Sequence, residues 1–120
     1  MKTMVVILGH GSKVAEHNAG LQHVAGMVKT MTELPVETAY MDNCEPDLGT
    51  AIRNGAAAGF KRFVVMPLFL FKGTHVSQDV PQAVEIIKQD LPEIEVIFTR
   101  HLGADPAIAQ LVWDRVQEVI

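Results

Sequence analysis

Two histidines each follow an apolar segment that has the length of a β-strand. His10 lies in Gly9-His10-Gly11-Ser12 after residues 4–8, and His75 lies beyond residues 63–66. If these segments are neighbouring parallel strands, both imidazoles open on one cleft. Two imidazoles can hold a borderline divalent metal such as Co²⁺, Ni²⁺ or Fe²⁺ and leave its other positions free for exchange. The pair predicts a metal-handling enzyme.

The residues around His10 suit a bound ligand. Glycine on either side lets the backbone pass close to a bound molecule. Ser12 is expected near the start of a helix, where free backbone N–H groups attract carboxylate or phosphate. The alternative is a tight strand-to-helix turn with an incidental histidine, and His75 could likewise be an exposed loop residue. Both residues are histidines and both follow a predicted strand. The pair therefore favours a functional site over two incidental histidines.

Other titratable residues are weaker candidates. Glu45 follows the second strand on the same predicted rim and could accept protons or position a metal, with a solvated loop carboxylate as the alternative. Asp79 is expected to cap the third helix, with Pro81 in its first turn. His101 follows the fourth strand, farther from the cleft. Cys44 lacks a Cys-x-x-Cys partner and is expected to be a structural thiol.

His17 and His23 lie six residues apart on the first predicted helix. That spacing separates them by roughly 240° around the helix axis, so they cannot share a chelating face. Both are expected at the surface.

The elements that must position these residues alternate along the chain. Apolar runs predict strands at residues 4–8, 36–41, 63–66 and 94–98, and helical spacing predicts helices at 14–31, 48–58, 80–91 and 106–120. This rhythm predicts an α/β fold, a four-stranded parallel sheet of order 2-1-3-4 with helices on both faces. In that order the switch point lies between strands 1 and 3, where open α/β sheets bind ligands. His10 and His75 follow these strands.

Periodicity also predicts which helix faces pack inward. Gly59 is expected to end the second helix and Asp105 to cap the fourth. The 13-residue connection from Pro67 to Asp79 is long for this fold, which indicates a functional loop. The inward residues are expected to be Val14, Leu21, Val24, Val28 and Met31 on the first helix and Ile108, Leu111, Val112, Val116 and Val119 on the fourth.

Composition narrows the function classes. A chain of 120 residues with 48% hydrophobic and 20% charged residues is expected to form one domain over residues 1–120. A net charge of −4 argues against nucleic-acid binding. No apolar stretch approaches the roughly 20 residues that cross a bilayer. The single Cys44 and the lack of a signal-peptide pattern favour the cytoplasm.

Three segments carry a resemblance to a known family. They are Leu8-Gly9-His10-Gly11-Ser12, the run from Met66-Pro67-Leu68-Phe69-Leu70 through Gly73-Thr74-His75 to Asp79-Val80-Pro81, and Leu102-Gly103-Ala104-Asp105-Pro106. Together the chain resembles the small CbiX-type sirohydrochlorin chelatases of the class II chelatase group, over nearly its whole length. The central segment is the specific one, whereas His-Gly-Ser alone would be weak.

The resemblance implies the flavodoxin-like half of a class II chelatase that inserts a divalent metal into sirohydrochlorin. The metal would be cobalt for cobalamin or iron for siroheme, with cobalt favoured, and no cofactor beyond the substrate metal is implied. His10 and His75 would be the metal-binding and catalytic pair. Longer chelatases look like two such units in one chain, so a homodimer is expected.

Sirohydrochlorin is a polycarboxylate, so an acidic protein must offer local positive charge. Solvated surface charge is the alternative for each basic candidate. Phe69, Leu70 and Phe71 could flank the macrocycle, pack in the core or contribute to a dimer interface. The candidate substrate contacts are Ser12, Lys13, Glu45, Arg53, Lys72, Gly73 and Thr74.

Two other functions remain open at this point. A non-catalytic tetrapyrrole or metal carrier on the same fold would bind both ligands without accelerating their union. A phosphate-binding flavodoxin-like module that uses the first turn would leave His75 unexplained.

Overall fold

The computed structural model describes residues 2–70 and 74–120, and for residues 74–79 it describes the backbone alone. Four strands pair in parallel in the order β2-β1-β3-β4. The predicted sheet order and the alternation of strands and helices are therefore confirmed. The elements are β1 (Thr3–Gly9), α1 (Ala15–Lys29), β2 (Val36–Tyr40), α2 (Leu48–Ala57), β3 (Arg62–Pro67), α3 (Thr74–Asp90), β4 (Glu95–Phe98) and α4 (Pro106–Gln117).

One face of the sheet, which we call the closed face, packs against α2 and α3. Ile52 from α2 and Ile87 from α3 are buried there with strand side chains such as Val6, Phe63 and Val65. Burying a side chain of this size contributes roughly 1.5–3 kcal/mol to folding. The main hydrophobic core therefore lies on the closed face.

The opposite face, which we call the open face, is only half covered. α1 packs on β1 and β2, where Ala25 meets Ile7 and Val36. The β3 and β4 side chains on this face, Val64, Met66 and Ile97, remain half-buried.

The inner face of α1 differs from the predicted one. Val14, Val24 and Met31 are exposed. The predicted positions of Leu21 and Val28 on the inward face are confirmed, but this face also runs through Asn18 and Ala25, which are buried and were not predicted. Asn18 is polar and Ala25 is small, so neither stands out in a pattern of large apolar residues. The predicted inner face therefore missed both.

The predicted inward packing of α4 is also wrong. Asp105 caps this helix as predicted, accepting a hydrogen bond from the Ala107 N–H at 2.8 Å. None of the α4 side chains is buried, however. The radius of gyration is 15.4 Å, against roughly 13.5 Å for a compact domain of this length. α4 therefore projects from the body.

The third helix begins earlier than predicted. α3 starts at Thr74, so Asp79 lies inside the helix rather than at its N-cap, and Pro81 is an interior proline. Pro81 has no N–H to donate to the preceding turn, but Val80, Val84 and Ile87 anchor the helix on the closed face. The connection after β3 is correspondingly shorter than the predicted loop to Asp79. Among the residues described, no helix is both long and apolar enough to cross a membrane.

Candidate active site

The turn that carries His10 is fastened to the chain that follows β2. The Met41 N–H donates to the Gly9 carbonyl at 2.9 Å, and the Asp42 N–H donates to the His10 carbonyl at 3.1 Å. Gly11 has a φ of 87°, and a Cβ at this position would collide with the Asp42 carbonyl oxygen. Only glycine fits this close approach.

Asn18 of α1 holds the other side of the turn. Its Oδ1 accepts from the Ser12 N–H at 3.0 Å, and its Nδ2 donates to the Ser12 carbonyl at 2.9 Å. Nδ2 also contacts the Cys44 sulfur at 3.4 Å. Asn18 was not among the residues predicted for the site. The sequence signal that could have identified Asn18 is its position on the same face of the helix as Leu21 and Ala25.

The His10 side chain is exposed, and an aromatic ring from the neighbouring strand positions it. The ring of Phe69, just after β3, lies with its centroid 4.0 Å from that of His10, at an interplanar angle of 43°. Phe69 is only 6% exposed. The imidazole is thus held between the ends of β1 and β3, at the predicted switch point. Phe69 thus packs within the chain, one of the alternatives predicted for it, whereas Leu70 is exposed.

A cavity of about 620 Å³ opens beside His10. Its walls come from the chain after β2, the start of α2 and one side of α3. Asp42, Asp47 and Arg53 supply polar groups, while Ile86 and Ile87 supply an apolar wall. A cavity of this size, lined about equally by polar and apolar surface, is large enough to hold a small molecule.

Two charged residues on the cavity rim, Asp47 and Arg53, belong to the start and the middle of α2. Asp47 caps this helix and accepts from the Thr50 N–H at 2.7 Å, and that hydrogen bond lowers the pKa of the Asp47 carboxyl. The Arg53 guanidinium, which lowers the same pKa further, pairs with Asp90 of α3 at 3.0 Å. Both members of this ion pair are substantially exposed, so Arg53 can exchange Asp90 for an anionic ligand at little cost.

A smaller cavity of about 320 Å³ lies on the other side of His10 and is lined by Gly9, Ser12 and His17, among others. His17 is exposed as predicted, but its Nδ1 lies 3.2 Å from the Ser12 hydroxyl. His17 is therefore next to the candidate site rather than remote from it. His23 is exposed on α1 away from these cavities.

The structure brings together only some of the predicted site residues. Ser12 lies in the turn, half-buried. Lys13 and Glu45 are exposed and line neither of the two cavities at His10. His101 is half-buried after β4 and Cys44 is a free thiol beside Asn18.

Several predictions fall on residues at the start of α3. Phe71, Lys72 and Gly73 lie outside the described residues, and Thr74 and His75 are described by their backbone alone. The backbone places His75 in the first turn of α3, after β3. Among the side chains described, no group of three or more His, Cys, Asp or Glu could hold a metal ion.

The structure is an open parallel α/β sheet with a histidine and a cavity at its switch point. These features are typical of small α/β domains that bind a ligand or catalyse a reaction. Comparison with known proteins narrows this class. The CbiX family model matches residues 4–119. The chain belongs to the CbiX family.

Curated relatives of similar length include two archaeal proteins. A sirohydrochlorin cobaltochelatase of Methanopyrus kandleri is 29% identical, over 97% of this chain and 96% of the relative. One of Methanosarcina acetivorans is 30% identical, over 99% of this chain and 98% of the relative. The chloroplastic sirohydrochlorin ferrochelatase of Arabidopsis thaliana is 33% identical over 97% of this chain, which spans 52% of that protein.

Solved structures agree in fold. A CbiX protein from Marinobacter aquaeolei superposes with a TM-score of 0.85 at 28% identity, covering 97% of this chain and 95% of that one. The sirohydrochlorin chelatase SirB of Bacillus subtilis, in complex with cobalt, superposes with a TM-score of 0.91 at 22% identity, and this chain covers 51% of it.

Proposed function

We propose that this protein inserts a divalent metal, Co²⁺ or Fe²⁺, into sirohydrochlorin. The observation that carries the proposal is the exposed His10 imidazole, held by Phe69 at the mouth of a cavity of about 620 Å³. Membership of the CbiX family and the names of the relatives of similar length support the same reaction. Cobalt is the metal we favour, because the relatives of matching length are cobaltochelatases.

The proposed chemistry needs a metal ligand and a proton acceptor at one edge of the macrocycle. A neutral imidazole can bind the incoming metal through a ring nitrogen or accept a proton from a pyrrole N–H. Two pyrrole protons must leave as the metal enters. We assign these tasks to His10 and His75, the residues that follow the two central strands at the switch point. The metal is a substrate here, and its remaining coordination positions stay free for the pyrrole nitrogens.

The cavity beside His10 would receive the macrocycle. The apolar wall from Ile86 and Ile87 suits the face of a tetrapyrrole, and Arg53 stands at the rim where a peripheral carboxylate can reach it. Ser12 remains a candidate contact because it lies in the same turn as His10. Lys13, Glu45, Lys72, Gly73 and Thr74 remain sequence-based candidates for substrate binding.

We further propose that the active unit is a homodimer of single-domain chains, because a cleft on one four-stranded unit is shallow for a tetrapyrrole. The free thiol of Cys44, the only cysteine, suits a reducing compartment such as the cytoplasm. The reaction would serve cobalamin or siroheme synthesis, according to the metal.

The test is to mix the full chain with sirohydrochlorin and either Co²⁺ or Fe²⁺ and to follow the absorbance change of the macrocycle against the uncatalysed rate. A metal insertion rate well above the rate without protein is expected. Binding of both ligands without any acceleration would contradict the proposal and identify a carrier instead.

A further inference from the structure

His10 stands between two cavities, and the proposed reaction has so far used only one of them. The larger, of about 620 Å³, would receive the macrocycle. The smaller, of about 320 Å³, is walled in part by the start of α1. His10, Gly11 and Tyr40 line both cavities and form the partition between them. A ligand in the smaller cavity can therefore reach His10 from the side that the macrocycle does not occupy.

The smaller cavity has room for a hydrated metal ion. Water occupies roughly 30 Å³ per molecule in the liquid, so an ion with its first shell of waters needs roughly 200 Å³. The cavity of about 320 Å³ can hold such an ion. The rings and carboxylate arms of sirohydrochlorin need far more space. The smaller cavity thus suits the smaller of the two proposed substrates.

A second imidazole lines this cavity. His17, in the first turn of α1, has its Nδ1 3.2 Å from the Ser12 hydroxyl. The hydroxyl oxygen is itself held, because it accepts from the Val14 N–H at 3.1 Å. When Nδ1 of a neutral His17 donates to this oxygen, Nε2 presents its lone pair. A hydrogen bond on one ring nitrogen is the usual way to orient a histidine that binds a metal through the other.

The donor set selects the kind of ion. Imidazole nitrogen suits borderline divalent metals such as Co²⁺, Ni²⁺ and Zn²⁺, whereas Mg²⁺ and Ca²⁺ prefer oxygen ligands. Sites that keep a metal permanently surround it with four protein ligands, but two imidazoles leave the remaining positions to water and exchange. His10 and His17 line one cavity and supply two such ligands. The pair therefore suits an ion in transit.

We propose that His10 and His17 form an entry site for the substrate metal in the smaller cavity. The hydrated divalent ion exchanges one water for each imidazole, and pyrrole nitrogens later replace His17 while His10 stays bound. Only ligands are exchanged, so the metal keeps its oxidation state. Ser12 is the positioning residue for His17. The role as an entry site rests on the proposed function, whereas binding of the metal ion alone does not.

The first test measures binding of Co²⁺ alone by titration calorimetry. His17→Ala is expected to weaken binding by roughly tenfold or more. His23→Ala removes an exposed histidine of the same helix that lines neither cavity, and it is expected to bind like wild type. Equal binding by wild type and His17→Ala would overturn the proposal, and so would an equal loss in His23→Ala.

A double variant tests whether the two imidazoles share one ion. If they do, His10→Ala with His17→Ala is expected to lose much less affinity for Co²⁺ than the two single losses combined, since either single variant already destroys the chelate. Independent, multiplicative losses would overturn a shared site.

Ser12 provides a test of positioning. Ser12→Ala removes the hydroxyl beside His17 and is expected to weaken Co²⁺ binding in the same direction as His17→Ala, by a smaller factor. Ser12→Thr keeps a hydroxyl and is expected to restore binding. Weakened binding in both variants would contradict the role of the hydroxyl in orienting His17.

Kinetics separate the entry site from the reaction. In His17→Ala, the KM for Co²⁺ is expected to rise by roughly tenfold or more, with the KM for sirohydrochlorin unchanged, because His17 lines only the smaller of the two cavities at His10. Metal insertion with an unchanged KM for Co²⁺ would overturn the entry site and leave the reaction standing. Binding of Co²⁺ through both histidines without any metal insertion would contradict the proposed function and leave the metal site standing.

Discussion

On the closed face of the sheet, α2 and α3 bury the core of the molecule, whereas on the open face α1 packs mainly on β1 and β2. The cavity beside His10 is walled by α2 and α3, so it belongs to the side that one chain completes by itself. On the open face, the side chains of Val64, Met66 and Ile97 remain half-buried. The difference teaches that this chain packs the two faces of its sheet unequally and that the cavity lies on the fully packed side.

The largest effect is expected at Gly11, in the turn that joins the sheet to the cavity. Gly11→Ala would place a Cβ against the Asp42 carbonyl in a left-handed backbone conformation. The turn would have to open, and we expect a loss of at least about 2 kcal/mol in the free energy of unfolding. Urea denaturation measures this, and a loss below about 0.5 kcal/mol would show that the turn is not constrained as described.

Two helical glycines compare a position packed against the closed face with an exposed position on α1. A Cβ on Gly55 of α2 would lie 2.6 Å from the Phe63 ring on the closed face, whereas a Cβ on Gly26 of α1 meets nothing within 4 Å. We expect Gly55→Ala to cost about 1–3 kcal/mol and Gly26→Ala to gain about 0.5–1 kcal/mol. Thermal or urea unfolding of both variants gives the comparison. Equal effects at the two sites would contradict the close packing of Gly55 against Phe63.

A smaller effect is expected at Asp47, the cap of α2. Asp47→Ala is expected to cost about 1 kcal/mol at neutral pH. Because folding lowers the pKa of Asp47, its ionic contribution is full above the ordinary aspartate pKa of about 3.9 and is lost as the pH falls through the lower folded-state value. The difference between wild type and Asp47→Ala should therefore shrink between pH 5 and strongly acidic pH.

Asp47→Asn is the matched control for this pH dependence. Asparagine caps a helix about as well as aspartate but does not titrate. Its stability at neutral pH should stay close to that of wild type. Unfolding free energies for the three proteins at several pH values provide the check. A stability difference for Asp47→Ala that grows in acid would contradict a lowered pKa for Asp47 in the folded protein.

Much of the fold could be predicted because its signals are local. Apolar runs and helical spacing located every strand and helix, and Asp105 and Gly59 marked helix ends as predicted. The start of α3 was missed because Asp79 and Pro81 imitate a helix start, whereas the helix begins at Thr74 and contains both residues.

In the candidate site, too, local sequence signals identified some residues and missed those that act through long-range contacts. Position after a central strand pointed to His10, and the structure places it at the switch point beside a cavity. The roles of Asn18 and Phe69 could not be predicted, because they arise from contacts between residues far apart in the chain. Periodicity likewise predicted an apolar face on α4, but it could not show that this face lies exposed rather than packed inward.

The most direct test of the proposed reaction compares metal insertion by His10→Ala and His23→Ala. Both replace an exposed histidine, but only His10 stands at the cavity. We predict that His10→Ala lowers the rate of Co²⁺ insertion into sirohydrochlorin by roughly 100-fold or more, with the thermal unfolding midpoint little changed, and that His23→Ala is active. His75→Ala carries the same prediction as His10→Ala. Near-normal turnover by His10→Ala would contradict the assignment of His10 to the reaction.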